Sequence, residues 1–162
     1  RRVAIAGGSA GGGLAAALAF TARDRAEVDV AAQVLIYPML DDRSSDRARR
    51  LDHGFRMWDR RSNVWAWRSF LGDADPQVAV PARRTDLAGL PPAWIGVGSL
   101  DLFHDEDLAY AEHLRAAGVP CETHIVPGAF HGFDSLAPKT RVARDFLDSQ
   151  CDMLRPILAA RR

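Results

Sequence analysis

Val3-Ala4-Ile5-Ala6-Gly7-Gly8-Ser9-Ala10-Gly11-Gly12-Gly13-Leu14 is the stretch on which the fold turns. Residues 3–6 form a short apolar run that stops at Gly7, which suits a buried strand. Residues 10–22 are alanine-rich and carry Leu14, Leu18 and Phe20, the composition of a buried helix. A strand, a glycine turn and a helix therefore meet at Ser9. Gly7-Gly8-Ser9-Ala10-Gly11 fits the pattern G-x-S-x-G, and the reason for that pattern is steric. A serine on so tight a turn has an exposed hydroxyl and a strained backbone. Small residues two before and two after it let neighbouring chain pass close by. The helix that follows points free N–H groups at the site and favours negative charge there. The N–H of Ala10 would be one donor to an oxyanion.

Working outward, a second buried strand is expected at 31–37, closed by Pro38. Residues 41–54 are crowded with Asp and Arg and read as a surface loop. Residues 59–71 carry Val64, Trp65, Trp67, Phe70 and Leu71 and read as a short helix ending at Gly72. The stretch 73–92 holds Pro76, Pro81, Pro91 and Pro92 and must be a connection. A third strand at 93–97 runs into Gly98-Ser99-Leu100-Asp101. A helix over 105–117 follows, with Asp105, Glu106 and Asp107 as charges at the positive end of its dipole. Its inner face is marked by Leu108, Ala111 and Leu114, and Gly118 is placed for a C-cap. A fourth strand at 121–126 ends in Pro127-Gly128, and a last helix spans 138–158 with Val142, Phe146, Leu147 and Leu154 on one side. Four alternations of strand and helix argue for a parallel sheet covered on both faces.

Bulk composition narrows the function. The 21 basic and 21 acidic residues balance, so nothing favours nucleic acid or an anionic membrane as partner. No apolar run approaches the roughly 18 residues of a membrane span. Cys121 and Cys151 have neither metal spacing nor a disulfide framework, and read as small buried hydrophobes of a reducing, cytoplasmic compartment. No lysine follows the glycine turn, which excludes a P-loop. Gly11, Gly13 and Ala16 match a dinucleotide spacing, but they lie beyond the turn, and the second strand ends in Tyr37-Pro38 instead of an acid.

A serine hydroxyl becomes a good nucleophile only when a base takes its proton, and the base needs an orienting carboxylate. Asp101 follows the third strand, and His131 follows the fourth in Pro127-Gly128-Ala129-Phe130-His131-Gly132-Phe133. Of the other four histidines, His104 and His113 fall on or beside a helix, His124 in a strand and His53 in the polar loop. Asp105 and Asp107 are better explained as helix-start charges, and Asp134 as a neighbour of the base. No pair of ligands near the turn has zinc-helix spacing, so no metal is expected.

Gly8-Ser9-Ala10-Gly11-Gly12, Leu35-Ile36-Tyr37-Pro38, Leu90-Pro91-Pro92, Asp101-Leu102-Phe103-His104-Asp105-Glu106 and His131-Gly132-Phe133 occur in this order. Together they resemble the hormone-sensitive-lipase-like branch of the α/β hydrolases over nearly the whole chain. The resemblance implies an α/β fold, here the C-terminal half of an α/β-hydrolase domain, from the nucleophile turn to the last helix. It implies a serine carboxylic-ester hydrolase acting on short- to medium-chain acyl esters, without a cofactor. The catalytic roles fall on Ser9, Asp101 and His131, with Ala10 at the oxyanion. Many relatives carry Asp where this chain has Gly8. The family's His-Gly-Gly-Gly oxyanion motif lies upstream of the turn, as do the first half of the sheet and part of the cap. Phe55, Trp58 and Trp65 fall where relatives join the lid over the site, and are read either as pocket lining or as core. The expected partners are a small ester substrate and a second copy in a homodimer, and the open edge of the first strand is expected to pair with other chains. Two other functions stay open: a non-catalytic domain that binds a ligand or partner, and an amide hydrolase on the same triad.

Overall fold

The computed structural model describes residues 2–47 and 57–159. In chain order it contains β1 (Val3–Gly8), α1 (Ala10–Arg25), β2 (Val30–Ile36), α2 (Ser44–Arg47), α3 (Arg60–Leu71) and α4 (Pro76–Ala79). A 3-10 turn (Pro81–Arg83) leads to β3 (Ala93–Gly98), α5 (His104–Ala116), β4 (Cys121–Val126), α6 (Phe133–Leu136) and α7 (Arg141–Ala159). The strands form one sheet in the order β1-β2-β3-β4, each pair parallel. Parallel neighbours need long crossovers, which α1, α5 and the 41–92 segment supply.

Side chains alternate across a strand, and here they divide the core in two. Leu35 and Ile95 join Ala16, Phe20, Tyr110, Ala111 and Leu114 on the face covered by α1 and α5. Val34 and Trp94 join Val126 and Phe146 on the face covered by α7. Both faces of the sheet are thus covered, and all of β3 is buried. That explains why β2 and β3 read as near-continuous apolar runs instead of alternating ones. No described helix is long and apolar enough to cross a membrane.

Helix ends follow local chemistry. Asp59 caps α3 by accepting from Ser62 N at 2.7 Å, and Asp75 caps α4 by accepting from Gln77 N at 2.9 Å. At the end of α5, Gly118 adopts φ +78°. Its N–H reaches Arg115 O at 3.0 Å and the next, Val119 N–H, reaches Leu114 O at 2.9 Å. These are the paired bonds of a Schellman cap, closed by the buried Leu114 and Val119 side chains.

Several expectations need correction. The 41–54 segment is not simply a surface loop: Asp41, Ser44 and Ser45 are buried and α2 forms, while 48–54 lie outside the described residues. Arg60 Nε donates to Ser45 O at 2.6 Å and Asn63 Nδ2 to Ser45 Oγ at 3.0 Å, which pulls this segment onto α3. In α1 the inward face is Gly12, Gly13, Ala15, Ala16, Ala19 and Phe20, because close approach to the sheet selects small residues; Leu14 and Leu18 point outward. In α7 the inward stripe is Ala143, Phe146 and Gln150, and Val142 and Leu147 fall off it. The largest correction is in α5. Glu106 and Asp107 are buried, not solvated helix-start charges. They occupy the same stripe as Phe103, Tyr110, Ala111 and Leu114, at the spacing of three and four that defines an inner face. Cys121 and Cys151 are unpaired and only half-buried.

Candidate active site

The turn at Ser9 is strained and locked. Ser9 adopts φ +56° and ψ −124°, a conformation rarely taken by a residue with a side chain. Its N–H donates to Ile36 O at 2.9 Å, and its carbonyl accepts from Gly12 N at 2.9 Å and Met39 N at 3.0 Å. A Cβ on Gly7 would collide with the Gly11 carbonyl, so the turn closes only with glycine there. A Cβ on Gly11 itself would meet open space. The close packing lies instead at Gly12 against Pro38 and at Gly13 against the Met39 carbonyl. The glycine run after the serine thus seats α1 against the chain leaving β2.

The other two side chains come from the loops after β3 and β4, which are laced together. Ser99 N donates to Val126 O at 3.0 Å, Leu100 N to Ala129 O at 2.9 Å, and Gly128 N to Ser99 Oγ at 2.8 Å. Asp101 is buried on this frame, and its Oδ1 accepts from Phe103 N at 3.0 Å. Its Oδ2 lies 2.8 Å from His131 Nδ1. His131 Nε2 lies 2.9 Å from Ser9 Oγ. His131 is 8% exposed, its imidazole walled by the rings of Tyr37 at 4.8 Å, Phe103 at 5.2 Å and Trp58 at 6.2 Å. A hydroxyl, an imidazole and a buried carboxylate in line can take a proton from the oxygen and stabilise the cation that results.

The remaining titratable residues stand elsewhere. His104 pairs with the exposed Asp105 at 2.8 Å, and His113 is exposed on α5. His124 packs beside the Trp94 and Phe146 rings, and His53 is outside the described residues. Asp134 accepts from Tyr37 Oη at 2.9 Å. Burial pushes the Glu106 carboxyl up to about 8, although its Oε1 accepts from Leu40 N at 2.7 Å and Asp41 N at 3.1 Å. Glu106 Oε2 and Ser44 Oγ close no hydrogen bond among the described residues, although the hydroxyl is near enough to offset a little of that burial. Asp107 is held well above the usual carboxylate range by burial, then by Glu106 and Asp101. Glu106 has the composition of a helix-start charge, but its spacing from Phe103 and Tyr110 puts it on the inner stripe of α5.

Around the nucleophile, Ala10 opens α1 and borders a hollow of about 90 Å³. Met39, Ala66, Trp67, Phe70 and Pro81 form much of its almost wholly apolar wall. Of the three aromatics expected near the pocket, Trp58 does stand beside His131. Trp65 is 71% exposed on the outer side of α3, whose inward aromatic is Trp67. Phe55 lies outside the described residues.

A family profile described as alpha/beta hydrolase fold matches residues 1–135. Esterase LipI of Mycobacterium tuberculosis is 34% identical over 97% of this chain and 50% of its own length. Ethyl acetate hydrolase of Pseudomonas putida is 31% identical over 82% of this chain and 43% of its own. The crystal structure of esterase LipW from Mycobacterium marinum superposes with a TM-score of 0.87 at 40% identity, covering 97% of this chain and 50% of that one. The chain spans about half the length of the relatives it matches. With this sheet, this turn and these relatives, the chain belongs to the α/β-hydrolase family, in its hormone-sensitive-lipase-like branch.

Proposed function

We propose that the protein carrying this chain hydrolyses carboxylic esters through an acyl-enzyme on Ser9. The observation that carries the reading is the relay from Ser9 Oγ to His131 Nε2 at 2.9 Å and from His131 Nδ1 to Asp101 Oδ2 at 2.8 Å. His131 takes the Ser9 proton as the hydroxyl oxygen attacks the acyl carbon. It then gives that proton to the departing alkoxide. Asp101 orients the imidazole and stabilises its charged form. Water, deprotonated by His131 in turn, attacks the acyl-enzyme, and the carboxylic acid leaves. The Ala10 N–H, at the free N-terminal end of α1, donates to the oxyanion of each tetrahedral intermediate.

The substrate is a short- to medium-chain acyl ester. The hollow beside Ala10 is apolar and about 90 Å³, room for roughly three water-sized groups. A small acyl or alkoxy group suits it, in keeping with a relative named for ethyl acetate. The test is a series of p-nitrophenyl esters of increasing acyl length on the full-length protein and on its Ser9→Ala variant. Turnover should favour the shorter members and be lost in the variant. Turnover that survives in folded Ser9→Ala overturns the assignment.

A further inference from the structure

Tyr37 sits one residue past β2, where the chain has been bent into φ +35°, the left-handed region that a residue with a side chain seldom enters. It is held there by its own N–H, which donates to Gly96 O at 2.6 Å, and it directly follows Ile36, whose carbonyl anchors Ser9 N. Non-glycine residues kept in such conformations cluster where a site needs them.

The buried side chain runs from this bend to the imidazole. The Tyr37 and His131 rings meet edge to face, with centroids 4.8 Å apart and planes at 63°, and Phe146 stacks behind Tyr37 at 6.4 Å and 12°. Beyond the ring, Tyr37 Oη donates to Asp134 Oδ1 at 2.9 Å. Asp134 stands three residues after His131, in the first turn of α6, just past Gly132, which turns the chain at φ +72°. The hydrogen bond therefore ties the loop that carries the base to the end of the strand that anchors the nucleophile.

We propose that Tyr37 and Asp134 are a positioning pair, which sets the His131 imidazole against the Ser9 hydroxyl during ester hydrolysis. This role rests on the esterase reading above. Asp101 grips the ring at Nδ1 alone, which leaves the ring free to tilt about that bond. The Tyr37 edge blocks the tilt on one side and Phe103, at 87°, on another. The bond to Asp134 keeps the phenol ring, and the loop beneath it, from drifting. Burial first, and the Asp134 carboxylate second, push the phenol up to about 12, so the hydroxyl remains a donor at neutral and mildly alkaline pH. Asp134 is thereby engaged by Tyr37, while Asp101 engages His131.

The test uses the full-length protein and four variants: Tyr37→Phe, Asp134→Ala, Asp134→Asn and the Tyr37→Phe/Asp134→Ala double. Tyr37→Phe keeps the ring and removes the tie, so kcat should fall about tenfold with KM nearly unchanged, the scale of one positioning hydrogen bond. Asp134→Ala should match it, and carries the test if Tyr37→Phe fails to fold. Asp134→Asn retains an acceptor for the phenol and should stay close to the parent. The double variant should be no slower than either single one, because both remove the same bond. A parent-like kcat in the folded single variants overturns the pair, as do losses that multiply in the double or an Asn variant as slow as the Ala one. A parent protein without ester turnover would instead overturn the esterase reading, and this role with it.

Discussion

Glu106→Gln exchanges a buried acid for a neutral isostere, and its effect on stability should grow with pH. Burial moves this carboxyl from 4.5 up to about 8 in the folded protein. In the unfolded chain it ionises at its ordinary value. Between the two values the folded state holds a proton that the unfolded state has released. Stability therefore falls as pH rises, by about 1.36 kcal/mol per pH unit from this group. Across the whole interval roughly 5 kcal/mol is forfeited, none of it below 4.5 and all of it above about 8. Glutamine accepts the Leu40 and Asp41 N–H groups through the same oxygen and has no proton to lose. Its amide adds a buried donor beside Ser44, at about 1–3 kcal/mol if unmet. The variant should then be the less stable protein near pH 5 and the more stable one near pH 8. Asp107 remains in both proteins and leaves each a residual decline of the same sign. Urea unfolding at a series of pH values reads the difference directly. A difference that is flat, or that shrinks as pH rises, would refute the reasoning.

Three further outcomes follow from the geometry. Gly7→Ala should cost at least about 3 kcal/mol, because its Cβ meets the Gly11 carbonyl, whereas Gly8→Ala, 3.7 Å from Tyr37 Cε2, should stay within about 1 kcal/mol of the parent. Equal thermal midpoints for the two variants would contradict the packing described for the turn. Asp101→Asn should lower kcat by about 10⁴-fold, and Asp105→Asn, on an exposed side chain, should barely change it. Near-normal turnover in the Asp101 variant would reassign the acid. His131→Gln should abolish ester turnover while His113→Gln leaves it intact, and a dead His113 variant would transfer the role of base.

The sheet is legible in the sequence because its central strands, β2 and β3, are buried on both faces and stand as apolar runs, and because every strand is followed closely by glycine or proline. The strand limits at β3 and β4 agree with expectation to within one residue. Ser9, Asp101 and His131 are legible together because each follows a strand, and parallel strands bring their C-terminal ends to one edge of the sheet. The less legible features involve residues whose type disguises their place. Glu106 and Asp107 look like solvent charges, since acids in a first helical turn usually are, and only their spacing from Tyr110 and Leu114 betrays the inner face. Trp65 and Trp67 are two residues apart on α3 and so face nearly opposite ways; composition alone does not say which turns inward. Leu14 and Leu18 look like core but lie outward, because Gly12, Gly13, Ala15, Ala16 and Ala19 make the closer contact with the sheet. The Tyr37–Asp134 bond spans 97 residues of chain and has no local signature.

The central claim is that Ser9 is a nucleophile activated by His131. The most direct measurement is covalent labelling of the folded full-length protein by a fluorophosphonate, which reacts only with an activated serine, followed by mapping of the labelled peptide. The account predicts a single adduct on Ser9, absent from Ser9→Ala and strongly slowed in His131→Gln. No adduct on the folded protein, or an adduct on another residue that persists in Ser9→Ala, would contradict it.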